Sequence, residues 1–178
     1  GVQIIYFQKH NFAAKYDIEY WKDRYEHSQY ELPLSKRTIG DDGLHAYAGY
    51  KLITGSNPFS INIDKPPAGK YLLGLSTLIF QNPLYIVLFF GFCTLIVFYF
   101  IAKHFFRNNS LALFATTLLF LDPLFFSQFW VTALDLIQLF FLLLNILLII
   151  NVKKLRRWGI FVILGSGLSL GLFAEVKP

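Results

Sequence analysis

The sequence predicts an all-α protein: a polytopic bundle of transmembrane helices with a water-exposed first loop that carries interfacial helices. Composition is the first reason. Of 178 residues, 55% are hydrophobic and 19% aromatic, with 20 phenylalanines, too oily for one soluble domain of this size. Charge distribution is the second. Residues 1–70 hold most of the Lys, Arg, Asp and Glu, whereas in 71–178 the few charges stand at the ends of apolar runs, so the first region is wet and the second mostly in lipid. The third is that several of those runs have the length of a membrane crossing and close on basic residues.

The chain starts at Gly1 and contains no methionine, and Val2–Phe7 is too short for the apolar core of a signal peptide. It stops at Lys177-Pro178 just after an apolar run, so we expect the N-terminal fragment of a longer chain. Between Ala13 and Tyr30 the residues Tyr16, Ile18, Tyr20, Trp21 and Tyr25 alternate irregularly with Asp17, Glu19, Lys22, Asp23, Arg24 and Glu26. That pattern suits an amphipathic helix at the membrane surface, or simply a solvated charged helix. Pro33 is expected to end it, and Ser35-Lys36-Arg37-Thr38 leads to Asp41-Asp42-Gly43-Leu44-His45. A charged Pro-Pro turn follows at Asp64-Lys65-Pro66-Pro67-Ala68-Gly69-Lys70.

From Tyr71 to Phe80 the apolar stretch is of interfacial or re-entrant length and closes on Gln81-Asn82-Pro83. Four spans are then expected, at about 84–102, 110–130 with a break at Asp122-Pro123, 136–152, and 158–176. With Lys103–Arg107 and Lys153–Arg157 placed in the cytoplasm, Asp41, Lys65, Lys70, Asp135 and Lys177 fall on the opposite side. Helix rise agrees: Asp135 to Lys153 is about 27 Å and Trp158 to Lys177 about 29 Å, each near one hydrocarbon thickness. The domain reading is therefore a non-cytoplasmic loop, 1–70, and a membrane region, 71–178, within one incomplete domain.

The net charge of +5 does not signal nucleic acid, because the cations flank apolar segments rather than forming a stripe on a soluble face. The single cysteine, Cys93, lies inside an apolar run, which leaves no disulfide or zinc framework. What remains is chemistry at one membrane surface. Adjacent acids can supply a general base, and nearby lysines can hold a phosphate-bearing leaving group. Each residue also has a plainer role. Asp41-Asp42-Gly43 alone is most often a turn or helix cap, Asp135 could cap the helix after it, and Lys177 could snorkel from a helix end. Asp122 is harder to set aside, since an acid at membrane depth needs a partner or a wet cavity.

Taken in order, these motifs resemble the protein O-mannosyltransferase family and its bacterial relatives, including aminoarabinose transferases that act on lipid A (glycosyltransferase family 39-like). These are multi-pass enzymes that use polyprenyl-phosphate sugars. Asp41-Asp42 with His45 or Tyr47 is similar to the acid pair and small helix that open the family's first external loop. Asp64-Lys65-Pro66-Pro67-Ala68-Gly69-Lys70 resembles its Pro-Pro-Leu-Gly-Lys turn, with Ala68 as the difference. Asp122 and Asp135 match its aspartates at the end of one span and the start of the next. Gly167-Leu168-Ser169-Leu170-Gly171 through Lys177 resembles its Gly-Leu-x-Leu-Gly run ending in Lys. The resemblance covers about residues 38–178. One departure is that many members carry Arg near the position of Phe129-Trp130 here, where it would help hold a lipid phosphate.

The resemblance implies a GT-C type fold. It implies inverting transfer of mannose or a related hexose from a polyprenyl-phosphate donor to a hydroxyl on a protein or lipid acceptor, on the periplasmic, extracellular or ER-luminal side of a multi-pass membrane protein. Asp41 and Asp42 are then the catalytic pair, with Asp41 as base. Lys65, Lys70 and Lys177 hold the donor phosphate, and Asp64, His45, Asp122 and Asp135 support the acceptor or the site. A divalent cation is a candidate companion of these acids, although no His/acid spacing demands one. The alternative is a non-catalytic membrane protein of this descent that binds lipid phosphate or acts as a scaffold. A transporter fragment fits less well, because transporters place ionisable groups near the midplane.

Overall fold

The computed structural model of the chain describes residues 12–58, 60–62 and 65–151, with single positions at 164, 165, 167 and 174. Among the described residues every regular element is helical, and the closest thing to a strand is an isolated bridge between Ser28 and Arg37. Helix α1 (Ile18–Glu26) begins where the Asp17 carboxylate accepts the Tyr20 N–H at 3.0 Å, a side-chain N-cap. It ends before Pro33, at His27, whose backbone leaves helical geometry (φ −104°, ψ 12°) and after which the Ser28 N–H makes a tighter turn onto the Tyr25 carbonyl at 3.0 Å. The loop after it folds back on itself. The Gln29 side chain both donates to the Ile39 carbonyl (3.1 Å) and accepts from the Ile39 N–H (3.0 Å), while Arg24 donates to the Thr38 carbonyl at 2.7 Å.

Helices α2 (Asp41–Ile53) and α3 (Pro67–Phe80) form the most extensive helix pair. α3 starts earlier than the apolar pattern suggests because proline, which lacks an N–H to satisfy, is well suited to the first helical turn. At their crossing Gly49 and Gly74 bring backbone against backbone: a Cβ on Gly74 would lie 2.1 Å from the Gly49 carbonyl oxygen. On the other side of α2 a small core of Tyr25, Ile39, Leu44, Tyr47, Ala48 and Ile61 joins it to α1 and the loops.

Helix α4 (Leu84–Phe106) has 23 residues, about 34 Å of helix, and is long and apolar enough to cross a membrane. The next expected span is broken. α5 (Asn109–Leu121) and α6 (Pro123–Ser127), which runs into a 3₁₀ turn at Gln128–Trp130, meet at a bend of 59°. Pro123 keeps Asp122 extended, and the Asp122 carboxylate accepts the Phe125 N–H at 2.8 Å to cap the new helix. α7 (Asp135–Asn151) is apolar but 17 residues long. The main core, including Leu73, Val87, Phe90, Phe129, Leu134, Ile137 and Phe141, packs α3, α4 and α7 around the 3₁₀ turn. The span expected at 158–176 and the basic cluster Lys153–Arg157 lie outside the described residues, isolated positions aside.

Candidate functional site

Asp41 and Asp42 are the first two residues of α2, after Gly40 as N-cap, and both side chains are exposed. Both carboxylates stand in the first turn, at the positive end of the helix dipole. The next residue, Gly43, is buried under Trp21: a Cβ there would lie 2.1 Å from the indole ring. Tyr16 stacks on Trp21 with centroids 6.1 Å apart and planes 8° from parallel.

Two long-range ties hold other parts of the chain against this helix start. The Thr132 hydroxyl donates to the Asp42 carbonyl at 2.8 Å, fixing the link between the 3₁₀ turn and α7 beside the acid pair. Asn82 pins the N-terminal segment to the α3–α4 turn. Its Nδ2 donates to the Ala14 carbonyl (3.1 Å) and the Phe12 carbonyl (3.3 Å), while its Oδ1 accepts the Leu84 N–H at 2.9 Å. The Tyr16 N–H adds a bond to the Gln81 carbonyl at 2.8 Å. Between these ties lies a cavity of about 320 Å³ whose walls include Tyr16, Trp21, Asp42, Asn82, Trp130 and Thr132. Asp42 therefore lines the cavity, with Asp41 next to it at the same helix end.

The other expected site residues take varied places. His45 is 3% exposed on α2 and is not part of the cavity wall. Lys65 is half-buried in the turn before α3. Lys70 is wholly buried, and its Nζ donates to the Asn62 carbonyl at 2.6 Å, which holds the loop before α3 onto that helix. Asp122 is exposed and caps α6; Asp135 is the half-buried first residue of α7, three positions after Thr132 in the chain. Asp64 and Lys177 lie outside the described residues. Among the described residues no three His, Cys, Asp or Glu gather to hold a metal ion.

Trp21, Asn82, Trp130 and Thr132 are wall residues to which the sequence alone gave no role at the site. Trp130 lies near the place where the resemblance leads one to look for Arg, and its indole N–H is buried without a hydrogen-bond partner. Its neighbour Phe129 turns the other way, into the core against Gly91. A second cavity, about 830 Å³, lies between the C-terminal ends of α4 and α7 and is lined by Lys103, His104 and Arg107. Leu84 lines the first cavity and Lys103 the second, which puts them about 28 Å apart along α4.

Two expected outcomes follow from this surround. Burial pushes the Tyr16 and Tyr25 hydroxyls well above their ordinary value of 10.0 and also raises that of Tyr47. For Tyr16 the neighbouring Tyr47 adds to the effect, and for Tyr25 the hydrogen bond to Glu31 does. A group whose folded pKa is raised stabilises the fold below its unfolded pKa and ceases to do so as pH climbs toward the folded value. The α1–α2 unit should thus lose near-UV circular dichroism only above about pH 10; a tyrosinate signal from about pH 10 that is lost in Tyr16→Phe, Tyr25→Phe or Tyr47→Phe while the fold stays intact would contradict the burial. Lys70→Met should lower stability by about 2 kcal/mol, because it leaves the Asn62 carbonyl without its charged donor. An unchanged thermal midpoint would show that the loop is held by other means.

A family model described as dolichyl-phosphate-mannose-protein mannosyltransferase matches residues 64–177. The acid pair and the Tyr16–Trp21 stack lie upstream of that match. No curated protein and no solved structure matches the chain.

Proposed function

The chain belongs to the dolichyl-phosphate-mannose-protein mannosyltransferase family, and on that premise we propose that it transfers a hexose, mannose in the first instance, from a polyprenyl phosphate to an acceptor hydroxyl. The observation that carries the reading is the Thr132–Asp42 bond, which brings the region of the family match onto the acid pair at the rim of a cavity. Asp41 takes the acceptor proton as the acceptor oxygen attacks the anomeric carbon. The bond from that carbon to the phosphate oxygen breaks with its electrons going to the phosphate, so that configuration inverts. Asp42, on the cavity wall, orients the acceptor. Lys65 and Lys177 stabilise the departing polyprenyl phosphate, while buried Lys70 holds the turn that presents Lys65. Asp64 and Asp135 support the same surface.

In this reading the protein is a multi-pass membrane protein with its site on the non-cytoplasmic side. The apolar length of α4 supports a crossing. The cations Lys103, His104 and Arg107 at its far end support a cytoplasmic location for that end. The test is transfer of label from radiolabelled polyprenyl-phosphate-mannose in membranes carrying the protein, extended to a panel of polyprenyl-phosphate sugars. Label entering protein or lipid only when the protein is present supports the transferase. Donor binding without transfer across the whole panel would favour the second reading, a lipid-phosphate-binding or scaffold protein. The presence of Trp130 near the place where many relatives carry Arg is the observation behind that alternative.

A further inference from the structure

We propose that the cavity between the C-terminal ends of α4 and α7 seats an anionic glycerophospholipid of the cytoplasmic leaflet, with its phosphate among Lys103, His104 and Arg107 and an acyl chain against Phe100, Leu147 and Leu148. The proposal rests on α4 crossing a membrane and not on sugar transfer, and its site is about 28 Å along α4 from the cavity beside Asp42. Phe100, Lys103, His104 and Arg107 are spaced i, i+3, i+4, i+7 and all line the cavity, so they form one stripe down α4 and its cap. Leu147, Leu148 and Asn151 line it from α7. On both helices polarity changes in the same direction along the axis. Phe100 lies about 4.5 Å before Lys103 and about 10 Å before Arg107, and Leu147 about 6 Å before Asn151. A wall that is apolar toward the membrane interior and cationic at its edge has the order of a phospholipid, with the chain inside and the phosphate at the surface.

Charge selects the headgroup. Among the described residues the wall holds no Asp or Glu, and neither Lys103 nor Arg107 is in an ion pair with another of them, so a phosphate has no carboxylate to displace. The negative dipole ends of α4 and α7 sum to about one charge, which Lys103 and Arg107 together outweigh, and His104 adds to them when protonated. Arg meets phosphate oxygens with a planar fork of donors and Lys with a point charge. A zwitterionic headgroup brings its own ammonium, which these cations repel. Size and depth then separate a lipid from soluble anions. At about 830 Å³ the cavity is near the upper end of small-molecule sites, which run to about 1,000 Å³, and inorganic phosphate would leave its apolar part empty. An acidic peptide would match the cations but not the apolar wall one turn deeper.

The test is native mass spectrometry of the whole protein in a neutral detergent, titrated with dioleoyl phosphatidylglycerol or dioleoyl phosphatidylcholine, which share their chains and differ in charge. Phosphatidylglycerol is expected to remain bound under conditions where phosphatidylcholine dissociates. Lys103→Gln together with Arg107→Gln should weaken that retention by roughly 30-fold, each cation contributing about 5-fold. The same charge removal at exposed Lys22 and Lys36 should leave it unchanged. Leu147→Trp, which fills the apolar wall and keeps every charge, should weaken it too. Equal retention of the two lipids, or no loss in the Lys103/Arg107 double variant, overturns the proposal. Full retention in Leu147→Trp overturns it as well, because the cations would then act only as a surface field. So does displacement of the lipid by millimolar inorganic phosphate, which would make this a site for the free ion, or a preference for a polyprenyl phosphate, which would give the cavity to the donor's carrier. Sugar transfer is read separately. A protein that retains phosphatidylglycerol and transfers nothing keeps this site and loses the transferase reading, and the reverse result loses the site alone.

Discussion

Asp41→Asn should leave the protein folded and able to bind donor while sugar transfer falls by roughly 10²–10⁴-fold, the usual contribution of a general base. The substitution preserves shape and removes only the capacity to accept a proton. Asp41 is exposed at the start of α2, so the fold loses at most the favourable interaction with the helix dipole, about 1 kcal/mol or less. Asp42→Asn is the informative companion. Asp42 lines the cavity and its backbone carbonyl already accepts from Thr132, so its side chain is placed to orient a substrate and should show itself mainly in KM. Label transfer from polyprenyl-phosphate-mannose, measured at saturating donor, separates the two. Unchanged turnover in Asp41→Asn would remove that residue from the mechanism, and a larger kcat loss in Asp42→Asn would exchange their roles.

The helical architecture was legible because it is written in local pattern. Apolar run length marked α4 and α7, and Asp122-Pro123 marked the bend that separates α5 from α6. The order of short motifs was enough to point to the family that the match over 64–177 establishes. The site was less legible, since what assembles it is long-range. Thr132 and Asp42 are 90 residues apart in the chain, and Asn82 reaches back 68 residues to Ala14. Neither bond leaves a trace in spacing or periodicity. Lys70 shows the same limit from the other direction. A lysine closing a Pro-Pro-Ala-Gly-Lys turn reads naturally as a phosphate ligand, whereas its burial against Asn62 depends on how the preceding loop folds over α3. Trp130 was noticed for what it replaces. Its place on the cavity wall came from the 3₁₀ turn, which sends Phe129 into the core and leaves the next side chain facing the acid pair's neighbourhood.

Gly74→Ala should be the most destabilising single methyl addition in the described part of the chain, and Gly49→Ala close to it. At Gly74 the new Cβ would sit 2.1 Å from the Gly49 carbonyl oxygen; at Gly49 it would sit 2.2 Å from the Lys70 carbonyl oxygen and 2.8 Å from the Gly74 nitrogen. Both obstacles are backbone, so no rotamer change relieves them and α2 must move away from α3. Overpacking of this kind costs about 1–3 kcal/mol, and a rigid obstacle puts it at about 3 kcal/mol. The functional consequence follows from the direction of that motion: α2 carries Asp41 and Asp42, and separation from α3 strains the Thr132 bond that aligns them with the cavity. Gly43→Ala is the contrast, because its obstacle is the Trp21 side chain, which can swing aside. Its stability should change little while the aromatic wall is disturbed. Gly55→Ala supplies the control for backbone conformation alone, with φ of 99° and no atom within 4 Å, and should cost about 1 kcal/mol. Thermal unfolding of the purified variants, with label transfer measured well below each midpoint, reads both effects. A wild-type midpoint for Gly74→Ala would mean that the two helices do not meet backbone to backbone, and the placement of the acid pair argued from that crossing would fall with it.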